Sequence, residues 1–201
     1  VSLNAANTEL TVTFAENVYD TDGGSGDLEA ADFALSISGT GVATVASTPT
    51  DISRTADNIW VLDVNISGTA NGNELLTVVP AAGNAIYDAS GNAASTTQSN
   101  NTASLTEKVL PTISSVSLNA ANTELTVTFA ENVYDTDGGS GDLEAADFAL
   151  SISGTGVATV ASTPTDISKS ADNIWVLDVN ISGTADGNEL LAVVPAAGNA
   201  I

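Results

Sequence analysis

Residues 19–32 read YDTDGGSGDLEAAD and carry five carboxylates in their last thirteen positions: Asp20, Asp22, Asp27, Glu29 and Asp32. Three glycines and a serine lie between them, and no Lys or Arg stands within twenty residues on either side. Carboxylates at this density repel one another and cost stability unless water separates them or a cation binds. Oxygen donors suit a hard dication, and Ca2+ takes about six to eight, mixing carboxylates with backbone carbonyls. The Asp20-x-Asp22 pair followed by glycines allows a loop to close tightly on an ion. Asp27, Glu29 and Asp32 then approach from the following turn, and Glu16 can add a ligand from the end of the preceding strand. The same fourteen residues return at 134–147, so Glu131, Asp135, Asp137, Asp142, Glu144 and Asp147 form a second candidate set. The stretch is not an EF-hand loop, because Gly24 and Ser25 occupy its fifth and sixth positions and no Glu stands at the twelfth. The plainer alternative is a solvated acidic loop in which Asp27 caps a single helical turn in DLEAAD.

A second candidate is DASGN at 88–92. It reads first as a turn, since Asx side chains bond their own backbone in such sequences. The functional alternative is a calcium site at a domain junction, built from Asp88, Asn92 and Glu16. Soft metals and nucleophilic triads are excluded, because the chain has neither His nor Cys. Paired carboxylates act on glycosides, but that chemistry wants aromatic platforms. Trp60 and Trp175 instead fall on alternating core faces. The expectation is a protein that is not an enzyme.

Charge narrows the partners. Twenty-five acidic residues against three basic ones give a net charge of −22. Phosphate backbones and anionic membrane surfaces both need clustered Lys and Arg, so neither nucleic acid nor direct membrane insertion is expected. No apolar run approaches the roughly 18 residues that span a bilayer. The chain contains no Met, which points to a piece of a longer or processed protein.

An internal repeat organises the elements that must position these residues. Residues 1–86 align without a gap to 116–201 and differ at four positions: Arg54/Lys169, Thr55/Ser170, Asn71/Asp186 and Thr77/Ala192. Each copy alternates apolar and polar residues with a period of two, as in ELTVTF at 9–14, FALSIS at 33–38 and NIWVLDVNIS at 58–67. That period marks half-buried antiparallel strands. Segment 42–53 reads as a strand broken near Pro49, and Asn71-Gly72 as a tight hairpin turn. Seven or so short strands per copy predict tandem antiparallel β-sandwiches of the immunoglobulin-like class. The domains are expected at 1–109, with an incomplete opening strand, and at 110–201, without a closing strand. An uncovered strand edge invites pairing with another chain. Neighbouring copies of the same repeat, assembling head to tail, are therefore the expected partners.

The LPTISSVSL opening, the TVTFAENV strand, the DLEAADF turn and the YDASGNAAS element together resemble the bacterial immunoglobulin-like tandem repeats of large surface and adhesin-type proteins. The resemblance covers both copies. It implies an extracellular or cell-surface sandwich, often with calcium near the domain ends, that acts as a spacer, filament subunit or binding module.

Overall fold

The computed structural model describes residues 1–136, 138–197 and 201. The chain divides into two units, Val1–Val109 and Leu110–Ile201. Among the described residues the first holds nine short strands: β1 (Ser2–Leu3), β2 (Glu9–Thr13), β3 (Phe33–Gly39), β4 (Thr44–Val45), β5 (Asp51–Ala56), β6 (Ile59–Asp63), β7 (Ile66–Ser67), β8 (Glu74–Pro80) and β9 (Thr102–Ser104). The second holds eight: β10 (Ile113–Leu118), β11 (Glu124–Phe129), β12 (Phe148–Gly154), β13 (Thr159–Val160), β14 (Asp166–Ala171), β15 (Ile174–Asp178), β16 (Ile181–Ser182) and β17 (Glu189–Pro195). Every pairing is antiparallel.

In the first unit one sheet runs β1-β2-β6-β5, and a second runs β3-β8-β9. The period-two pattern does the sorting. Leu10 and Val12 on β2 and Trp60 and Leu62 on β6 turn inward from the first sheet. Phe33 and Leu35 on β3 and Leu76 and Val78 on β8 turn inward from the second, and all eight belong to one buried cluster. Two sheets sharing one core is a β-sandwich arrangement. The strand expected to break near Pro49 does so, with β4 and β5 on either side.

The short strands outnumber the expected seven because β4–β7 form a small ladder of their own. That ladder also corrects the reading of Asn71-Gly72 as a hairpin. β7 pairs with β4 and β8 with β3, so the turn joins strands that do not pair with each other. Gly72 takes a positive φ of 80°, and Asn71 uses its side-chain oxygen to accept the Asn73 N–H at 3.0 Å.

Residues 101–108 close the first unit. β9 lies beside β8 through Thr77–Thr102, Leu76–Ala103 and Leu75–Ser104. Leu105 then drops into the core, 3% exposed, a burial that contributes roughly 2 kcal/mol. The second unit repeats the sheet β10-β11-β15-β14, but β12 and β17 form a two-stranded sheet.

Candidate functional site

The acidic segment begins as a tight reversal. Thr21 N–H donates to the Ser25 carbonyl at 3.1 Å and its hydroxyl to the same oxygen at 2.8 Å, while Gly24 N–H returns to the Thr21 carbonyl at 3.1 Å. Tyr19 and Tyr87 exchange both backbone hydrogen bonds at 2.8 Å, which docks this reversal beside the DASGN turn. The approach is backbone against backbone. A Cβ on Gly24 would stand 3.0 Å from the Ala89 carbonyl oxygen, and one on Gly91 only 2.5 Å from that of Asp22. The two candidate stretches, distant in sequence, are therefore one place in the first unit.

The carboxylates there have different surroundings. Asp27 forms an ion pair with Arg54, which also holds Asp57 and lies 5.9 Å from the Trp60 ring centre. The second unit repeats this with Lys169, whose Nζ sits 2.5 Å from Asp142, 2.9 Å from Asp172 and 5.5 Å from the Trp175 ring centre. The Arg54/Lys169 difference thus keeps the pairing. Contact with Asp57 and then Asp27 pushes the Arg54 guanidinium up, and contact with Asp142 and Asp172 does the same for Lys169. Both networks are solvent-exposed, where such pairs contribute little to stability.

The expectation that Asp27 caps the turn is corrected. The 3-10 turn starts later, at Ala30–Asp32, with Glu29 in the N-cap position. The Asp32 carboxylate accepts the Glu29 N–H at 2.7 Å, and Asp147 accepts that of Glu144 at 2.6 Å. Leu28, 3% exposed, turns into the core and separates Asp27 from the turn. Burial pushes the Asp32 carboxyl above the ordinary aspartate range. The Glu29 N–H opposes that shift, while the negative charges of Asp20 and Glu29 add to it.

Asp22 and Glu29 stand exposed and Asp20 half-buried, and among the described residues no ion pair is formed by Asp20, Asp22, Glu29 or Asp32. In the second unit Asp135, Asp142 and Glu144 are exposed, and Asp147 is 9% exposed. Asp137 lies outside the described residues. The donor set is all oxygen and suits a hard cation. Among the described residues, however, no three carboxylates converge on one point, so coordination requires exposed side chains to swing together.

Asp88 is committed to its own turn. Its Oδ1 accepts the Ser90 and Asn92 N–H groups, and its Oδ2 accepts the Asn92 side-chain amide, all at 2.8 Å. The Asn92 side chain first, and then its backbone N–H, hold the Asp88 carboxyl below the usual range. Glu16 is exposed and Glu131 half-buried; among the described residues neither hydrogen-bonds to these loops. Trp60 and Trp175 are core residues, each 2% exposed.

Two residues in the first unit were not singled out from the sequence. Asn7, 5% exposed and at a φ of 61°, donates its side-chain amide to the Thr106 carbonyl at 2.7 Å and accepts the Thr106 N–H at 2.8 Å. Glu74, 1% exposed, accepts the Ala43 N–H at 3.3 Å and the Asn71 N–H at 3.0 Å. Burial pushes the Glu74 carboxyl up, but the N–H groups of Ala43 and Asn71, together with those of Glu74 and Gly72, outweigh it and hold the group below the ordinary range. The faint signals were an Asn where a loop needs positive φ and a lone acid heading the apolar run ELLTVVP.

Comparisons with protein-family models, with curated proteins and with solved structures find no match for this chain.

Proposed function

We propose that this chain is a structural spacer: tandem immunoglobulin-like sandwiches of a secreted or cell-surface bacterial protein, joined to further copies of the same repeat and stabilised by calcium at the acidic loops. The observation that carries the reading is the repeat itself. Eighty-six residues recur with four differences, and both copies build the same four-stranded sheet order. Duplicating a whole folding unit adds length and repeats every surface without inventing a new site. Calcium is supported by the surplus of charge. Asp20 and Glu29 press on a half-buried Asp32, which forms no ion pair among the described residues.

Melting in millimolar calcium and again in a chelator tests the ion. Extracellular modules hold calcium at about 0.1–1 mM, so one site in 1 mM calcium contributes roughly 0.4–1.4 kcal/mol. The expected outcome is a clear rise in melting temperature that Asp20→Asn with Asp22→Asn largely removes. An unchanged midpoint removes calcium from the reading. Electron microscopy of the native source tests the spacer role, with extended surface structures as the expected result. A second reading, an adhesive module for glycans or another surface, is favoured by the half-buried Tyr19 and Tyr87 paired beside the acidic loop. The third, an accessory domain of a large secreted enzyme, has no such observation.

A further inference from the structure

Residues 63–67, Asp-Val-Asn-Ile-Ser, cross from β6 to β7, and residues 178–182 repeat them from β15 to β16. Alternation sorts this stretch as it sorts the strands. Val64 is 6% exposed and Ile66 packs on the core, while Asp63, Asn65 and Ser67 stand exposed on the other face. In the second unit Val179 and Ile181 turn inward, and Asp178, Asn180 and Ser182 stand exposed. The backbone is held from within. The Val64 N–H donates to the Thr8 carbonyl at 2.9 Å, and the Asp63 and Asn65 carbonyls accept the Thr50 N–H at 2.9 Å and the Ala46 N–H at 3.2 Å. The side chains of Asp63, Asn65 and Ser67 make no hydrogen bond among the described residues, and neither do those of Asp178, Asn180 and Ser182. An open polar hollow of about 420 Å³ lies beside Asn180, bordered by Thr123, Glu124, Thr165 and Asp178. Thr8, Glu9, Thr50 and Asp63 are the corresponding residues around Asn65.

We propose that Asn65 and Asn180 are acceptor sites for an N-linked glycan. Asn-x-Ser is an acceptor signature. The transferase needs an amide nitrogen that can attack and a hydroxyl two residues later by which to hold the chain. Here the extended backbone brings both to one exposed face. It adds a carboxylate two residues earlier, which offers a cationic enzyme site a third contact. In the transfer the side-chain nitrogen bonds to the anomeric carbon of a sugar carried on a lipid diphosphate. The bond from that carbon to the diphosphate breaks, the lipid diphosphate leaves with the electron pair, and the amide gives one proton to a base of the enzyme. In the second unit the first sugar then lies over the polar hollow. There the Glu124 and Asp178 carboxylates, which form no ion pair among the described residues, accept from its hydroxyl groups. A further Asn-x-Thr stands at Asn100, but Gln98 replaces the carboxylate. Its middle residue, Asn101, accepts the Val78 N–H and donates its side-chain amide to the Val78 carbonyl, both at 2.9 Å, which clips that tripeptide to β8. The inference rests on the surface-protein reading for the meeting with the transferase, not for the acceptor geometry.

The test incubates the folded 201-residue chain with a lipid-diphosphate oligosaccharide and a purified oligosaccharyltransferase of the kind that reads an acidic residue at this spacing. Intact mass and peptide mapping report the outcome. The expected result is a glycan at Asn65 and another at Asn180, with none at Asn100. Ser67→Ala with Ser182→Ala should abolish transfer, and Ser67→Thr with Ser182→Thr should keep it, since threonine retains the hydroxyl. Asp63→Asn with Asp178→Asn should slow transfer at least about fivefold, through loss of one contact to a charged group. No glycan at Asn65 or Asn180, equal transfer to Asn100, or transfer that survives Ser67→Ala with Ser182→Ala overturns the proposal. The native protein separates this inference from the spacer reading. Transfer to a chain that its source keeps inside the cell preserves the acceptor sites and overturns the surface reading. Extended surface structures in which Asn65 and Asn180 are bare do the reverse.

Discussion

The two units carry the same residues in the same order over 86 positions, yet they differ in what they bury. Glu74 is 1% exposed, while its counterpart Glu189 is half-buried. Leu76 is fully buried, and Leu191 is not. Ala70 is 2% exposed, and Ala185 lies open. None of these positions is a substitution. The difference is strand β9 and Leu105, which lie against β8 in the first unit, while among the described residues β17 pairs with β12 alone. The opposite edge reverses the comparison. β1 holds two residues, whereas β10 holds six and packs Ile113 on the core, and the Thr112 carbonyl just before it accepts the Ala130 N–H at 2.8 Å. Phe129 is accordingly 1% exposed, while Phe14 is half-buried beside a groove of about 420 Å³. Among the described residues each unit thus pairs a segment that is shorter or missing in the other, and burial is a property of the pairing before it is a property of the residue.

The largest expected effect equalises the units. Calorimetry of the 201-residue chain should show the second unit melting first. Appending residues 87–109 after Ile201 should raise that transition by at least about 10 °C, since a domain of this size shifts about 4–8 °C per kcal/mol. A single transition before the extension would break the comparison. Next, the same substitution should cost different amounts in the two units. Asn7→Ala leaves the Thr106 backbone groups unpaired and should cost about 1–3 kcal/mol. Asn122→Ala loses no such partner among the described residues and should cost only about 1 kcal/mol, the cost of an alanine at the positive φ that Asn7→Ala bears as well.

Acid should sharpen the contrast. Glu74 and Asp88 have carboxyl groups held below their ordinary values. Their contribution to the first unit is fully present above about pH 4.3, the unfolded glutamate value. It is lost as pH falls through the lower folded values, because the unfolded chain then binds the protons more readily. Asp32, pushed upward, acts in the opposite sense. Glu74→Gln should flatten the acid limb of the first unit's melting curve, and an unchanged limb would remove Glu74 from this account. The smallest effect belongs to the exposed ion pairs. Arg54→Lys, which copies the second unit, should shift stability by less than about 0.5 kcal/mol, and a clear loss on equilibrium unfolding would show the two networks to be unequal.

Alternation in ELTVTF, FALSIS and NIWVLDVNIS was enough to assign the inward faces of β2, β3 and β6. A strand has a period of two whatever it packs against, and Trp60 needed no further information. The repeat likewise announced two copies of one architecture. Local sequence could not reveal contacts made across long loops. Arg54 reaches Asp27 only because β5 and the segment after the acidic hairpin meet in the folded unit. Asn71-Gly72 looked like a hairpin because turn chemistry is local, while the partners of β7 and β8 are not. The acidic hairpin and the DASGN turn became one place through glycines that allow backbones to touch. Asn7 and Glu74 carry only faint local signatures of their role, since what they hold is residue Thr106 in one case and the Ala43 loop in the other. Composition and period determined the fold class, the core faces and the density of negative charge. Which carboxylate meets a cation and which acid is buried were decided by the tertiary pairing, because each depends on a partner that lies dozens of residues away.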